Sequence, residues 1–170
     1  AAVLGADSGF DKNWQYFDIV EKAVLAVLDA KPDSPVKLLT QGKKRATAFV
    51  PTDAAFRALV KDLTGTAPKS EKATFKAVAA AADVDTLESV LLYHVVAGKT
   101  LNAKKVVARD GKKVTTALGS TFKVKVKGKK VILVDADKND ANPRVVALNV
   151  NKGNKQIAHG INRVLRPIDL

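Results

Sequence analysis

Phe122-Lys123-Val124-Lys125-Val126-Lys127-Gly128-Lys129-Lys130-Val131-Ile132-Leu133-Val134 is the stretch whose reading decides the fold. Apolar and cationic residues alternate from Phe122 to Lys127, the period of a strand with one face buried and three lysines facing water. Gly128-Lys129-Lys130 then reverses the chain, and residues 131–134 return as a more fully buried strand. Further along, residues 145–148 and 161–165 are strand candidates, and residues 113–117 read as a short strand before Gly119. Segments 135–144 and 149–156 are rich in Asn and Asp and read as loops.

Upstream of this hairpin the period changes. Over residues 14–28, Phe17, Val20, Val24 and Val27/Leu28 form a helical stripe, with Asp18, Glu21 and Lys22 expected on the opposite side. Lys31-Pro32-Asp33-Ser34-Pro35 ends that helix, because proline cannot continue it. Residues 46–50 read as a short buried strand, and Pro51-Thr52-Asp53 as a corner into a helix over 53–63. There Thr52 caps the free N–H groups and Asp53 favours the positive end. Phe56, Leu59, Val60 and Leu63 make its apolar face. Residues 71–81 are helical by propensity. Asp85-Thr86-Leu87-Glu88 has capping-box spacing and opens a helix over 86–95, stopped by Gly98 and burying Leu92. Helices segregated from a mixed or antiparallel sheet make an α+β domain. At 170 residues one domain is expected.

Composition narrows the chemistry. There are 29 Lys+Arg against 17 Asp+Glu, a formal charge of +12, and hydrophobic residues are 46%. That apolar content supports one core and excludes a disordered chain. The absence of Cys excludes disulfides and thiolate chemistry, and 2 His leave little for a histidine-built zinc site. Aromatics at 5% allow only small stacking platforms. No segment approaches the roughly 18 consecutive apolar residues of a membrane span. The chain opens Ala1-Ala2-Val3, which reads either as a chain whose signal peptide has been removed or as a trimmed sequence. Charge concentrates in residues 99–130, where Asp110 is the single acid. Such a surface attracts anionic polymers or membranes.

Three further stretches carry a resemblance. They are Thr47-Ala48-Phe49-Val50-Pro51-Thr52-Asp53-Ala54-Ala55-Phe56, then Leu91-Leu92-Tyr93-His94-Val95-Val96-Ala97-Gly98, then Ile157-Ala158-His159-Gly160-Ile161-Asn162-Arg163-Val164-Leu165-Arg166-Pro167. In order and separation they resemble the fasciclin (FAS1) domain, over about residues 14–168. The third departs from that pattern, with Asn162 where Asp is usual and Asn154-Lys155-Gln156 in place of Asn-Gly. The resemblance implies N-terminal helices packed against a wedge of two small β-sheets. It also implies an exported, non-enzymatic adhesion or matrix-binding module, secreted, periplasmic or cell-surface associated. Pro51, Thr52, Asp53, Phe56, His159, Asn162 and Pro167 then become structural family positions. In animal-matrix members of the family integrin binding is tied to the Tyr-His box, which here falls on Tyr93 and His94.

Each candidate site has a plain physical reading. Tyr93 and His94 are consecutive on a predicted helix and project about 100° apart, so one is expected partly buried and the other at the rim. His159 is expected to pack or hydrogen-bond. Asp137, Asn139 and Asp140 are oxygen-rich but lack the Gly and terminal Glu of a calcium loop, and read as a solvated turn. No nucleophile elbow, phosphate loop or dinucleotide fingerprint occurs, so no catalysis, cofactor or metal is expected. Lys123, Lys125 and Lys127 share one strand face, and Lys129 and Lys130 extend it. That face suits a surface or matrix protein, an acidic polysaccharide or an anionic membrane. Scarce Arg and few aromatics argue against nucleic acid. A monomer is expected.

Overall fold

In the computed structural model, which describes residues 10, 13–139, 141–150 and 153–168, capping signals divide a helical half from a sheet half. Helix α1 (Asp18–Ala30) is followed by a 3-10 helix (Pro35–Thr40) that opens on Pro35 with Ser34 as its cap. Strand β1 (Ala46–Pro51) passes through Thr52, whose Oγ1 accepts from Ala55 N at 3.3 Å, into α2 (Asp53–Thr64). Gly65 ends α2 with φ at 80°, a left-handed conformation that glycine adopts without a Cβ penalty. Next come α3 (Glu71–Ala81), α4 (Val84–Tyr93), β2 (Val95–Ala97) and a short α5 (Ala103–Val107). Strands β3 (Lys113–Thr115), β4 (Thr121–Lys127), β5 (Lys130–Val134), β6 (Val145–Val150) and β7 (Gln156–Ile161) complete the chain.

Several boundaries differ from the sequence reading, each for a local reason. The cap of α4 is Asp83, whose Oδ1 accepts from Thr86 N at 2.7 Å, so the helix starts ahead of the Asp85 box. It stops at Tyr93, and Val95 belongs to the unpredicted β2. The unpredicted α5 is announced only by Asn102, whose Oδ1 accepts from Lys105 N. The closing strand is 156–161 rather than 161–165: all six residues of β7 are buried, so its sequence QIAHGI shows no alternation to read. Asp18 and Glu21, expected in water, are buried on α1, whereas Leu63 of α2 is exposed.

The strands form two small sheets. One has the order β2-β1-β7-β6, with β1 and β7 parallel and both outer pairs antiparallel; the other is the antiparallel meander β3-β4-β5. Alternation along β1 divides the core in two. Val50 joins Ile19, Val24, Phe56, Leu91 and Leu92 in the layer between helices and first sheet. Phe49 turns the other way and packs with Phe122, Val124, Leu133 and Ile161 between the two sheets. Close approach is decisive at Gly160, where a Cβ would lie 3.0 Å from that of Ala147 and 3.2 Å from the Phe17 ring. The molecule is therefore an α+β fold with helices against two small sheets.

Phe56 and Leu92 are both buried in the helical layer, 2% and 8% exposed. Denaturant unfolding should show Phe56→Ala costing about 3–5 kcal/mol and Leu92→Ala about 2–5 kcal/mol. Losses below about 1 kcal/mol at both sites would contradict this packing.

Candidate functional site

The Tyr-His box holds the layers together from inside. Tyr93 is fully buried and His94 nearly so, which corrects the expectation that one of them lies at the rim. The helix ends between them, so the 100° offset of consecutive helical residues sends them to different partners, not to different depths. Tyr93 Oη donates to Thr121 O at 2.8 Å, and its ring meets Phe122 edge-on. His94 Nδ1 lies 2.6 Å from Val90 O, and Leu165 N donates to Nε2 at 2.8 Å. A carbonyl only accepts and an amide only donates, so the ring is neutral with its proton on Nδ1. Neither side chain offers a surface to a partner.

The third box is equally structural. His159 is fully buried against Phe49, ring centroids 5.5 Å apart. Its Nε2 lies 2.7 Å from Leu101 O, and its Nδ1 accepts from Asn149 N at 3.2 Å. The same logic gives the opposite tautomer, with the proton on Nε2. Asn162 exchanges two bonds with Arg144, through Arg144 N to Oδ1 at 2.8 Å and Asn162 N to Arg144 O at 3.0 Å. Pro167 is half-buried beside buried Arg166, whose guanidinium pairs with Asp62 at 2.8 Å and Asp137 at 3.4 Å. Asp137 is thus buried and charge-paired, not part of a solvated turn; Asn139 N donates to its Oδ1 at 2.9 Å, and Asp140 lies outside the described residues.

The Pro51-Thr52-Asp53 corner links two helix starts. Asp53 N donates to Tyr16 O and Ala54 N to Trp14 O, both at 2.9 Å, while Thr52 serves Ala55. In return the Asp53 carboxylate accepts from Ile19 N at 2.8 Å and Asp18 N at 3.3 Å, capping α1, whose own N-cap residue Phe17 supplies no side-chain cap. Each segment thus satisfies the orphan donors of the other. Asp53 is fully buried, and Asp18, Asp53 and Glu71 bring carboxylate oxygens within 4.8 Å of one another. Burial first, and then the neighbouring Asp18 and Glu71, push the Asp53 carboxyl up to about 7, against the pull of its two backbone donors. No sequence motif joins these three acids; tertiary packing does.

On the outer side, the lysine alternation holds. Lys123, Lys125 and Lys127 of β4 are exposed while Phe122 and Val124 are buried. Lys113 of β3 stands directly opposite Lys123, and Lys127 opposite Lys130, with Lys129 in the connecting turn. Like charges facing across a ladder are unfavourable. Asp110 is committed to the sheet edge, its Oδ1 accepting from Val126 N at 2.8 Å. Among the described residues no helix is long and apolar enough to cross a membrane.

Two buried groups titrate in opposite senses. Desolvation, partly offset by the bond to Val90 O, pulls His94 down to about 4. Above its unfolded pKa of about 6.5 both states are neutral; below it the unfolded chain binds the proton first, so stability falls toward pH 4 by about 3 kcal/mol. His159 shifts in the same direction, again by burial. Asp53, raised, does the reverse: its contribution is present below pH 4 and lost as pH rises through 7. In chemical denaturation across pH 4–7, Asp53→Asn should therefore gain stability with rising pH more steeply than the wild type. Parallel profiles would mean that Asp53 is already ionised in the fold.

The family comparison agrees with this architecture. The sequence model described as Fasciclin domain matches residues 23–167. Among curated proteins, none matches the chain in sequence. Among solved structures, a FAS1 domain pair from the insect cell adhesion molecule Fasciclin I superposes with a TM-score of 0.54 at 15% identity, over 85% of this chain. The chain spans 44% of the length of that neighbour, and a likeness at this identity speaks to fold alone. With its three boxes built into two cores and its helices packed on two small sheets, this chain belongs to the fasciclin domain family.

Proposed function

We propose that this domain is an exported, non-enzymatic surface-binding module, acting as a monomer, that attaches to acidic polysaccharide of a cell surface or matrix through the outer face of β3-β4-β5. The observation that carries the reading is the like-charged ladder: Lys113 opposite Lys123 and Lys127 opposite Lys130, with Lys125 between them. A sheet that tolerates such pairs departs from its own stability interest, and departures of that kind concentrate where a partner compensates them. Lysines on one strand face recur about every 7 Å, a spacing suited to a linear polymer that repeats its charges. Fasciclin domains are generally adhesion-related, and the structural neighbour is a cell adhesion molecule. Burial of Tyr93 and His94 favours the lysine face over the Tyr-His box as the attachment surface.

Exposed contacts are individually weak and screened over about 8 Å at physiological ionic strength. The domain should bind an immobilised sulfated or uronate-rich polysaccharide at low salt and elute as salt rises. Changing Lys123, Lys125 and Lys127 together to Gln should remove most retention with little change in melting temperature. The control, Lys61, Lys72 and Lys76 to Gln, removes equal charge from exposed sites on α2 and α3. Equal losses in the two variants would assign binding to total charge, and absence of wild-type binding would overturn the proposal.

A further inference from the structure

Where the edge strands of the two sheets meet, β2 of one and β3 of the other, they bound a cleft of about 610 Å³, open solvent at its mouth included. Its walls carry Lys99, Arg109 and Lys113, with Thr115 and Thr116 beside them, and no carboxylate lines it. Among the described residues none of the three cations is ion-paired. The backbone that carries them is held in place independently of any ligand. Thr47 Oγ1 donates to Lys99 O at 2.8 Å and accepts from Leu101 N at 2.8 Å, so the chain after Gly98 is pinned to β1. Gly111 N donates to Val124 O at 2.8 Å, which ties the turn after Arg109 to β4. Ala117 N donates to Val95 O at 2.7 Å and joins the two edges. Three cations without ion-pair partners are thus held around a preformed concavity.

We infer that this cleft is an anion-binding subsite that takes one acidic sugar unit of a polysaccharide lying across the lysine face. The inference rests on the attachment reading above and deepens it, because Lys113 belongs to both features: it lines the cleft and stands opposite Lys123 on the ladder. A linear polyanion crossing the face would meet the cleft at the β3 edge without leaving cationic surface. The lining selects the class. Arg109 supplies a planar fork matched to sulfate or carboxylate, and the lysines add point charge. The exposed Thr115 hydroxyl suits a remaining oxygen of a sugar, whereas that of Thr116 is already donated to Ser120 O at 2.8 Å. No aromatic ring lines the cleft, so a nucleobase finds no stacking platform.

The probe is a sulfated disaccharide, too short to span the face, titrated into the full chain at low salt while backbone amide shifts are followed by NMR. Shifts are expected at Val96, Lys99, Leu101 and Thr115–Thr116. Changing Lys99 and Arg109 together to Gln should weaken disaccharide binding by about tenfold. The Lys123, Lys125 and Lys127 variant should hold disaccharide affinity to within about twofold while losing the long polymer. Shifts spread along β4 and absent from the cleft would overturn the subsite, and this reading on the wild type needs no variant to fold. Equal weakening by both variants would overturn it as well. So would inorganic phosphate or a short deoxyoligonucleotide that binds there as tightly as the disaccharide. Should the disaccharide shift the cleft while the face variant keeps its polymer, the subsite stands and the face reading fails. Should the polymer depend on the face and the disaccharide leave the cleft unshifted, the face stands and the subsite fails.

Discussion

The parallel pairing of β1 with β7 is the constraint on which the rest of this domain hangs. Ala46 to Pro51 run alongside Gln156 to Ile161 in unbroken register, joining segments from opposite ends of the fold. A parallel pair cannot be closed by a hairpin and needs a long crossover; here the crossover runs over residues 52–155, from α2 through the second sheet and β6. Forming it fixes where Phe49 and Val50 point, and so which residues face helices and which face the other sheet. It also delivers His159 to the space beside Phe49 and Ile161 O to Thr52 N, at the corner where α2 begins. Because β7 lies between β1 and β6 and is buried along its length, a slip of one residue would turn its inward set to the wrong layer.

The most recognisable residues of the chain have their work inside the fold. Tyr93 reaches Thr121, His94 reaches Leu165, and His159 reaches Leu101 and Asn149. Tyr93 ties the end of α4 to β4 of the second sheet, His94 ties that end to the segment after β7, and His159 holds β7 to β6 and to the chain after β2. Both histidines meet a donor and an acceptor, so each is locked in one neutral tautomer, and neither can serve as an acid or base without breaking a tether. Arg166 plays a comparable part for the closing segment, gathering Asp62 and Asp137 from elements far apart in sequence. A buried, paired charge of this kind holds an arrangement in place more than it adds stability.

With the motif residues enclosed, the lysine ladder stands on the outer face, where like charges lie opposite one another. Its strand geometry is supported from beneath by Phe122, Val124, Val131 and Leu133, so the exposed lysines can be chosen for something other than folding. The cleft between β2 and β3 joins that surface at Lys113.

The sequence by itself determined the long helices, the β4-β5 hairpin and the lysine face. Period-2 alternation over 122–127 forces Lys123, Lys125 and Lys127 to one side whatever the strand packs against, and Pro51-Thr52 forces a helix start wherever the corner is placed. These follow from rules that span a few residues. Other features depend on atoms that only folding brings together. Burial on both faces erased the alternation of β7, so its position could not be read from 156–161. Asp53 looked like the first-turn acid of its own helix and instead caps α1, because packing brings the amides of Asp18 and Ile19 to its carboxylate. Tyr93 and His94 were legible as a pair, but their depth was not, since a helix that ends between them sends both inward. The cleft was illegible for the same reason: Lys99 and Arg109 come from connections and Lys113 from β3, and only the meeting of two sheet edges gives them a common space.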